Sequence, residues 1–135
     1  MKTALTWTIV TLALAAPGLA LAQSVAAKPP GEAVFKDNCA ACHQLTGKGV
    51  PGAFPALAAN KFVTGPPEAP TMTILMGRGG MPAFKTDLDD GSIANVLTYL
   101  RMSWGNKAKP VSAADVKGVR AKLAALAAPK SLQAH

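Results

Sequence analysis

Cys39, Ala40, Ala41, Cys42 and His43 follow one another, and no other cysteine occurs in the 135-residue chain. On a helix, thiols at i and i+3 project from one face, and an imidazole at i+4 from the first thiol leans toward the same side. A fold built on this chain must bring something to that face. A disulfide across Cys39 and Cys42 closes a loop too short to stabilise much, so it would serve as a redox-active pair. Such a pair needs a strand ahead of it and an alternating β/α chain behind it, and the sequence has neither. A C-x-x-C can also be half of a zinc site, but zinc takes four ligands. The only other histidine is His135, at the chain end. Covalent attachment of haem c uses all three groups, and C-x-x-C-H is its attachment signature. Each thiol adds to one vinyl group and the imidazole reaches the iron. The expected cofactor is therefore one haem c, attached through Cys39 and Cys42 and ligated by His43.

The first 22 residues read as a targeting segment. Lys2 supplies a positive start, ALTWTIVTLALAA is an apolar stretch, Pro17 and Gly18 break it, and ALA at 20–22 is a small-x-small cleavage triplet. Cleavage after Ala22 is expected, giving an exported, periplasmic protein that begins at Gln23. The competing reading is a retained membrane anchor, since the apolar run is nearly long enough to span a bilayer. Three segments are expected: residues 1–22 as signal peptide, 23–109 as haem domain and 110–135 as a basic amphipathic tail.

The remaining chain reads as all-α with long loops. GEAVFKDNCAACH predicts a helix with Val34, Phe35, Cys39 and Cys42 on its apolar side. Residues 44–64 are rich in Gly and Pro and predict a wrapped loop with at most a helical turn near Leu57. A short helix is expected from Pro70 to Gly77, with Met72, Leu75 and Met76 on one side. Asp89 caps the strongest helix, where Ile93, Val96, Leu97 and Leu100 fall at i, i+3, i+4 and i+7. A last helix runs from Ser112 to about Ala128, with Ser112 and Asp115 as a capping pair and Val116, Val119, Leu123 and Leu126 on one face.

The second axial position needs a donor. Met72 and Met76 suit the core of their short helix, and Met102 lies near the end of the long one. Met81 sits in RGGMPAF. Pro82 biases it to an extended backbone, and Gly79 and Gly80 allow close approach to a flat ligand. A thioether presented on such a loop is a soft donor suited to iron, so Met81 is the expected ligand.

At this point the chain resembles the small class I cytochromes c. GEAVFKDNCAACH, GVPGAFPALA, GRGGMPAF and ANVLTYLRMSWGN carry the resemblance, which covers nearly all of residues 31–106. It implies a cytochrome c fold in which the Pro55 carbonyl accepts from the second ring nitrogen of His43 and Leu57 packs on the haem. It also implies that the first and last helices of the haem domain cross at Gly31, Phe35, Leu97 and Tyr99. YLRMSWGN followed by a basic tail is similar to cytochrome modules that serve bacterial dehydrogenases, such as alcohol dehydrogenases. It is also similar to haem domains fused to some copper nitrite reductases. On this second resemblance Trp104 either closes over the haem edge or caps the core.

With both axial positions taken, the expected activity is one-electron transfer and no catalysis at iron. Three functions are open: a diffusible carrier, a dedicated cytochrome subunit of a dehydrogenase, and a haem enzyme or gas sensor with a labile sixth ligand. Expected partners are redox proteins, a dehydrogenase as donor and an oxidase or reductase as acceptor. The formal charge is +7, and residues 101–135 hold seven of the fourteen Lys and Arg residues against Asp115 alone. This excess suits an acidic partner or an anionic membrane surface. Nucleic acid is not expected, because no stacking aromatics accompany the lysines. The apolar stripe of the last helix must cover either the domain's own surface or a partner, and the charge excess on the same helix favours partner docking.

Overall fold

The computed structural model describes residues 30–128, so the targeting segment and its cleavage site lie outside the described residues. Six helices follow in order: α1 (Glu32–Asn38), α2 (Ala40–His43), α3 (Lys61–Thr64), α4 (Glu68–Met76), α5 (Asp90–Met102) and α6 (Ala113–Ala127). Extended pairing among the described residues is limited to two isolated bridges, Val50 with Phe54 and Arg78 with Met81. No helix among them is long and apolar enough to cross a membrane.

The helix expected at the motif forms with a break at Cys39, whose backbone (φ −123°, ψ −31°) leaves the helical region. Hydrogen bonds still pass through the break: the Cys39 amide donates to the Phe35 carbonyl at 2.9 Å and the His43 amide to the Cys39 carbonyl at 3.0 Å. Gly31 starts α1 at φ 106° without a side-chain cap. Its lack of a side chain is required twice over, because a Cβ there would collide with the Asn95 carbonyl and the Val96 amide of α5. This contact lets α1 and α5 cross closely enough for Phe35, fully buried, to meet Tyr99 in a tilted ring contact at a centroid separation of 5.5 Å. The crossing implied by the resemblance is therefore present.

The core is one apolar cluster. Phe35, Val63, Leu75, Ile93, Val96 and Leu97 are among its most buried members. All four α5 positions picked out by periodicity are buried, and Asp89 caps α5 by accepting from the Ser92 amide at 2.7 Å. Two elements differ from expectation. α3 lies inside the stretch read as loop; Asn60 caps it by accepting from the amides of Phe62 and Val63. α4 begins at Glu68 and buries Pro70, Thr71, Ile74 and Leu75, while Met76 is exposed. A hydroxyl among apolar residues hid that face from a hydropathy reading, yet Thr71 satisfies itself by donating to the Pro67 carbonyl at 2.6 Å.

The last helix is capped as expected: Ser112 and Asp115 form a reciprocal capping box. Its apolar stripe, however, faces inward and not toward a partner. Val116 is fully buried and Val119 nearly so, Leu123 packs against the same core, and Leu126 is exposed. The connection is pinned by Thr98, whose hydroxyl donates to the Val111 carbonyl at 3.2 Å and accepts from the Val111 amide at 2.9 Å. An amphipathic pattern specifies that a face is covered and does not specify by what; here α4 and α5 cover it.

Candidate functional site

The site is assembled on α1–α2 and the two loops that follow. Cys39 and Cys42 are partly buried and not bonded to each other. Burial, and secondarily the neighbouring Cys42, pushes the Cys39 thiol up to about 11. Among the described residues no group of three or more His, Cys, Asp or Glu side chains could hold a metal ion, and His135 lies outside them.

His43 is buried, and its Nδ1 lies 3.0 Å from the carbonyl oxygen of Pro55, twelve residues downstream. With Nδ1–H donated to that carbonyl, Nε2 carries the lone pair. The loop holding Pro55 is stitched together by backbone bonds. The Gly49 amide donates to the His43 carbonyl at 3.0 Å, and the amides of Leu57 and Ala58 both donate to the Gly47 carbonyl, at 2.7 and 2.9 Å. Gly49 (φ 62°) lies flat against this loop; a Cβ there would sit 2.6 Å from the Pro55 carbonyl oxygen. The atom that orients His43 is thus held by the backbone packed against it.

Trp104 braces the same loop. Its ring centroid lies 5.1 Å from that of Phe35, tilted by 60°, and 5.4 Å from that of Tyr99 in an edge-to-face contact. Its Nε1 donates to the Leu45 carbonyl at 3.1 Å, and a Cβ on Gly47 (φ 66°) would fall 2.5 Å from the ring. Leu57 is partly buried against the core. Asn106 secures it, donating to the carbonyls of Leu57 at 2.9 Å and Leu100 at 2.7 Å and accepting from the Asn60 amide at 3.3 Å. The sequence reading missed Asn60, Asn106 and the two loop glycines as positioning groups. The density of Gly, Pro and Asn in residues 46–60 and 105–106 was the available signal.

Met81 stands at the end of a tight turn. Arg78 and Met81 exchange both backbone bonds, at 3.2 and 3.0 Å, across Gly79 and Gly80. Gly77 (φ 72°) lies against the Met81 carbonyl, 2.5 Å from where its Cβ would be. The Met81 side chain packs against the core, as does Met72, whereas Met76 and Met102 are exposed. Arg78 is also exposed. One core therefore gathers Cys39, Leu57, Met81, Tyr99 and Trp104, with His43 and Pro55 bonded at its margin.

Helices without sheet among the described residues, a C-x-x-C-H segment that starts at the junction of α1 and α2 and runs along α2, and an imidazole oriented by a loop carbonyl define a c-type cytochrome. Residues 26–100 match the family model described as cytochrome c oxidase, cbb3-type, subunit III, and the chain belongs to that family. It is similar to the cytochrome c subunit of a quinone alcohol dehydrogenase from Gluconacetobacter polyoxogenes, with 36% identity over 74% of this chain and 24% of that subunit. It is similar to cytochrome c-552 of Thermus thermophilus, with 35% identity over 78% of this chain and 80% of that protein. It is also similar to the cbb3-type oxidase subunit CcoP of Azospirillum brasilense, with 35% identity over 61% of this chain and 30% of the subunit. The chain thus spans about a quarter of the length of the dehydrogenase subunits it matches. It is a small c-type cytochrome by family, and the cofactor of that family is haem c. The donor set fits that group: two unpaired thiols within one turn, a buried imidazole with one nitrogen left over, and a packed thioether.

Proposed function

We propose that Cys39 and Cys42 carry haem c through thioether bonds, that His43 and Met81 are its axial ligands, and that the chain passes single electrons from a dehydrogenase toward the respiratory chain. On this reading residues 1–22 direct export and are removed after Ala22. Residues 23–109 hold the cofactor in the periplasm, and the basic segment from residue 110 onward supplies a cover through α6. The observation that carries the reading is the bond from His43 Nδ1 to the Pro55 carbonyl, 3.0 Å long, beside two unpaired cysteines.

Bound haem c supplies a one-electron couple between ferrous and ferric iron. The chain's own groups set the conditions for it. The Pro55 carbonyl fixes the His43 tautomer and aims Nε2. The turn from Arg78 to Met81 holds a thioether, and His/Met ligation raises the reduction potential. Two protein ligands leave no open position for a substrate, which favours transfer over catalysis. Similarity to dehydrogenase cytochrome subunits and to an oxidase subunit supports a place between such partners, either as a free carrier or as a dedicated subunit.

Mass measurement of the denatured mature protein tests attachment. The expected result is the polypeptide from Gln23 plus haem, with no titratable thiol; a bare polypeptide mass would overturn it. Met81→Ala tests ligation. It should keep the haem, lower the potential and open the iron to added imidazole. If Met76→Ala does this and Met81→Ala does not, the assignment of Met81 is wrong.

A further inference from the structure

We infer that Arg120, on α6, is a positioning residue for Met81, and that the C-terminal helix thereby sets how firmly the thioether is held at the iron. The inference rests on the assignment of Met81 as ligand. Met81 is joined to α5 by residues 82–89, a stretch without helix or strand. Its backbone is tied to α4 by the Phe84 amide, which donates to the Ile74 carbonyl at 3.0 Å, and closed on itself by the Leu88 amide donating to the Phe84 carbonyl at 3.1 Å. Arg120 adds three bonds from outside. Its Nη1 donates to the Lys85 carbonyl, its Nη2 to the Leu88 carbonyl and its Nε to Asp90 Oδ1, each at 2.6 Å.

A guanidinium is planar and always charged, so three short bonds from one fork fix three acceptors relative to one another. Here two acceptors lie in the stretch that follows Met81 and the third is at the start of α5. Arg120 therefore closes the far end of the loop whose near end is the turn from Arg78 to Met81. The fork is itself anchored, because Val116 and Val119 on the same helix are buried in the core. The other link from α6, Lys122 to Glu68 at 2.7 Å, is between exposed side chains and reaches α4 and not this loop. Loss of the fork would let residues 82–89 open more often, and an opened loop releases Met81 to a competing ligand.

The test uses the full haem-loaded chain in the ferric state. Imidazole affinity, reduction potential and the denaturant midpoint are measured for wild type, Met81→Ala, Arg120→Lys and Val116→Ala. Arg120→Lys keeps the charge and loses the fork, so a change cannot come from removing a cation. It should bind imidazole roughly tenfold more tightly than wild type, as expected when charge-assisted bonds closing a loop are lost. Its potential should move toward that of Met81→Ala. Asp90→Asn, which weakens one of the three contacts, should shift both readouts in the same direction by less. Val116→Ala, which loosens the helix without breaking the fork, should lower the denaturant midpoint and raise imidazole affinity by much less than Arg120→Lys does. Unchanged affinity in Arg120→Lys, with Met81→Ala responding, overturns the role of Arg120 alone. An equal rise in affinity in Val116→Ala would reduce Arg120 to a general stability contact and also overturn it. If Met81→Ala itself does not respond, the ligand assignment has failed first.

Discussion

Val116→Ala isolates the question of what the C-terminal helix covers. Val116 is fully buried, inside a stripe for which the sequence left open the domain's own surface and favoured a partner. Removing two carbons forfeits about 1.6 kcal/mol of transfer free energy at ~0.8 kcal/mol per methylene-sized group. A cavity left in a close-packed site adds roughly 1 kcal/mol. Alanine is the better helix former and returns about 0.5 kcal/mol. The expected net loss is therefore about 2 kcal/mol, read as a lower denaturant midpoint with unchanged slope in the haem-loaded protein. Leu126→Ala on the same helix is the control; Leu126 is 80% exposed, and its truncation should leave the midpoint close to wild type. Deletion after Lys109 extends the argument. It removes Val111, Val116 and Val119 from the core, each 6% exposed or less. At ~1.5–3 kcal/mol per buried side chain this comes to roughly 5–9 kcal/mol as an upper estimate. That is comparable with the whole stability of a small domain, about 5–15 kcal/mol, so the shortened chain should not persist as a folded haem protein at room temperature. A wild-type midpoint in Val116→Ala, or a deletion protein that folds normally, would show that the α6 face is not part of the core.

Gly47→Ala should destabilise by about 2–4 kcal/mol, combining a left-handed backbone that a side chain disfavours with displacement of the Trp104 ring. Chemical denaturation measures it, and a loss under about 0.5 kcal/mol would mean that the ring does not lie on the loop. Asp89→Asn should flatten the acid limb of the stability curve. Hydrogen bonds from the Ser92 backbone, then its side chain, hold the Asp89 carboxyl below the usual range. The stability it contributes is present above the ordinary aspartate value and lost as pH falls through the depressed one. An acid limb in Asp89→Asn identical to that of wild type would refute this.

The motif, the long helix and both caps were legible because each is local. Cys39, Cys42 and His43 declare their chemistry by spacing, α5 by its period, Asp89 and Ser112 by residue type. The bond from His43 to Pro55 came from the family resemblance, since nothing local to either residue predicts a contact twelve residues away. Arg101 was not legible at all. It counts as surface charge in the sequence, yet it is 5% exposed. It donates to the Lys109 carbonyl through Nε and to the Val63 and Gly65 carbonyls through Nη1, each at 2.7 Å. The acceptors are backbone oxygens of loops that come together only after folding, and such partners leave no trace in residue type. Desolvation lowers the Arg101 pKa, but guanidinium is basic enough to remain charged there.

That burial changes where electrostatic steering resides. The seven basic residues of positions 101–135 read as one patch in the sequence. In the fold Arg101 faces inward, Arg120 is paired with Asp90 at 2.6 Å and Lys122 with Glu68 at 2.7 Å. Lys107, Lys109 and Lys117 are exposed. Lys107 and Lys109 border a surface hollow of about 570 Å³ together with Met102, Asn106 and Ala108, at the end of α5 that carries Trp104. A paired cation presents little net field, and exposed charges act over roughly 8 Å at physiological ionic strength. The uncompensated field should therefore be strongest beside this end of α5. Oxidation of the ferrous protein by hexacyanoferrate, an anion, measures that field without an identified partner. Lys107→Glu combined with Lys109→Glu should slow the reaction at low salt and flatten its dependence on ionic strength. Lys122→Gln removes one charge but also unpairs Glu68, and it should change the salt slope less than replacing both lysines. The double replacement changes the net charge by four and Lys122→Gln by one, so a slope change in Lys122→Gln that is a full quarter of the double variant's would mean that the charge acts as a diffuse total, and that the pairing seen on α6 does not shape the approach of a redox partner.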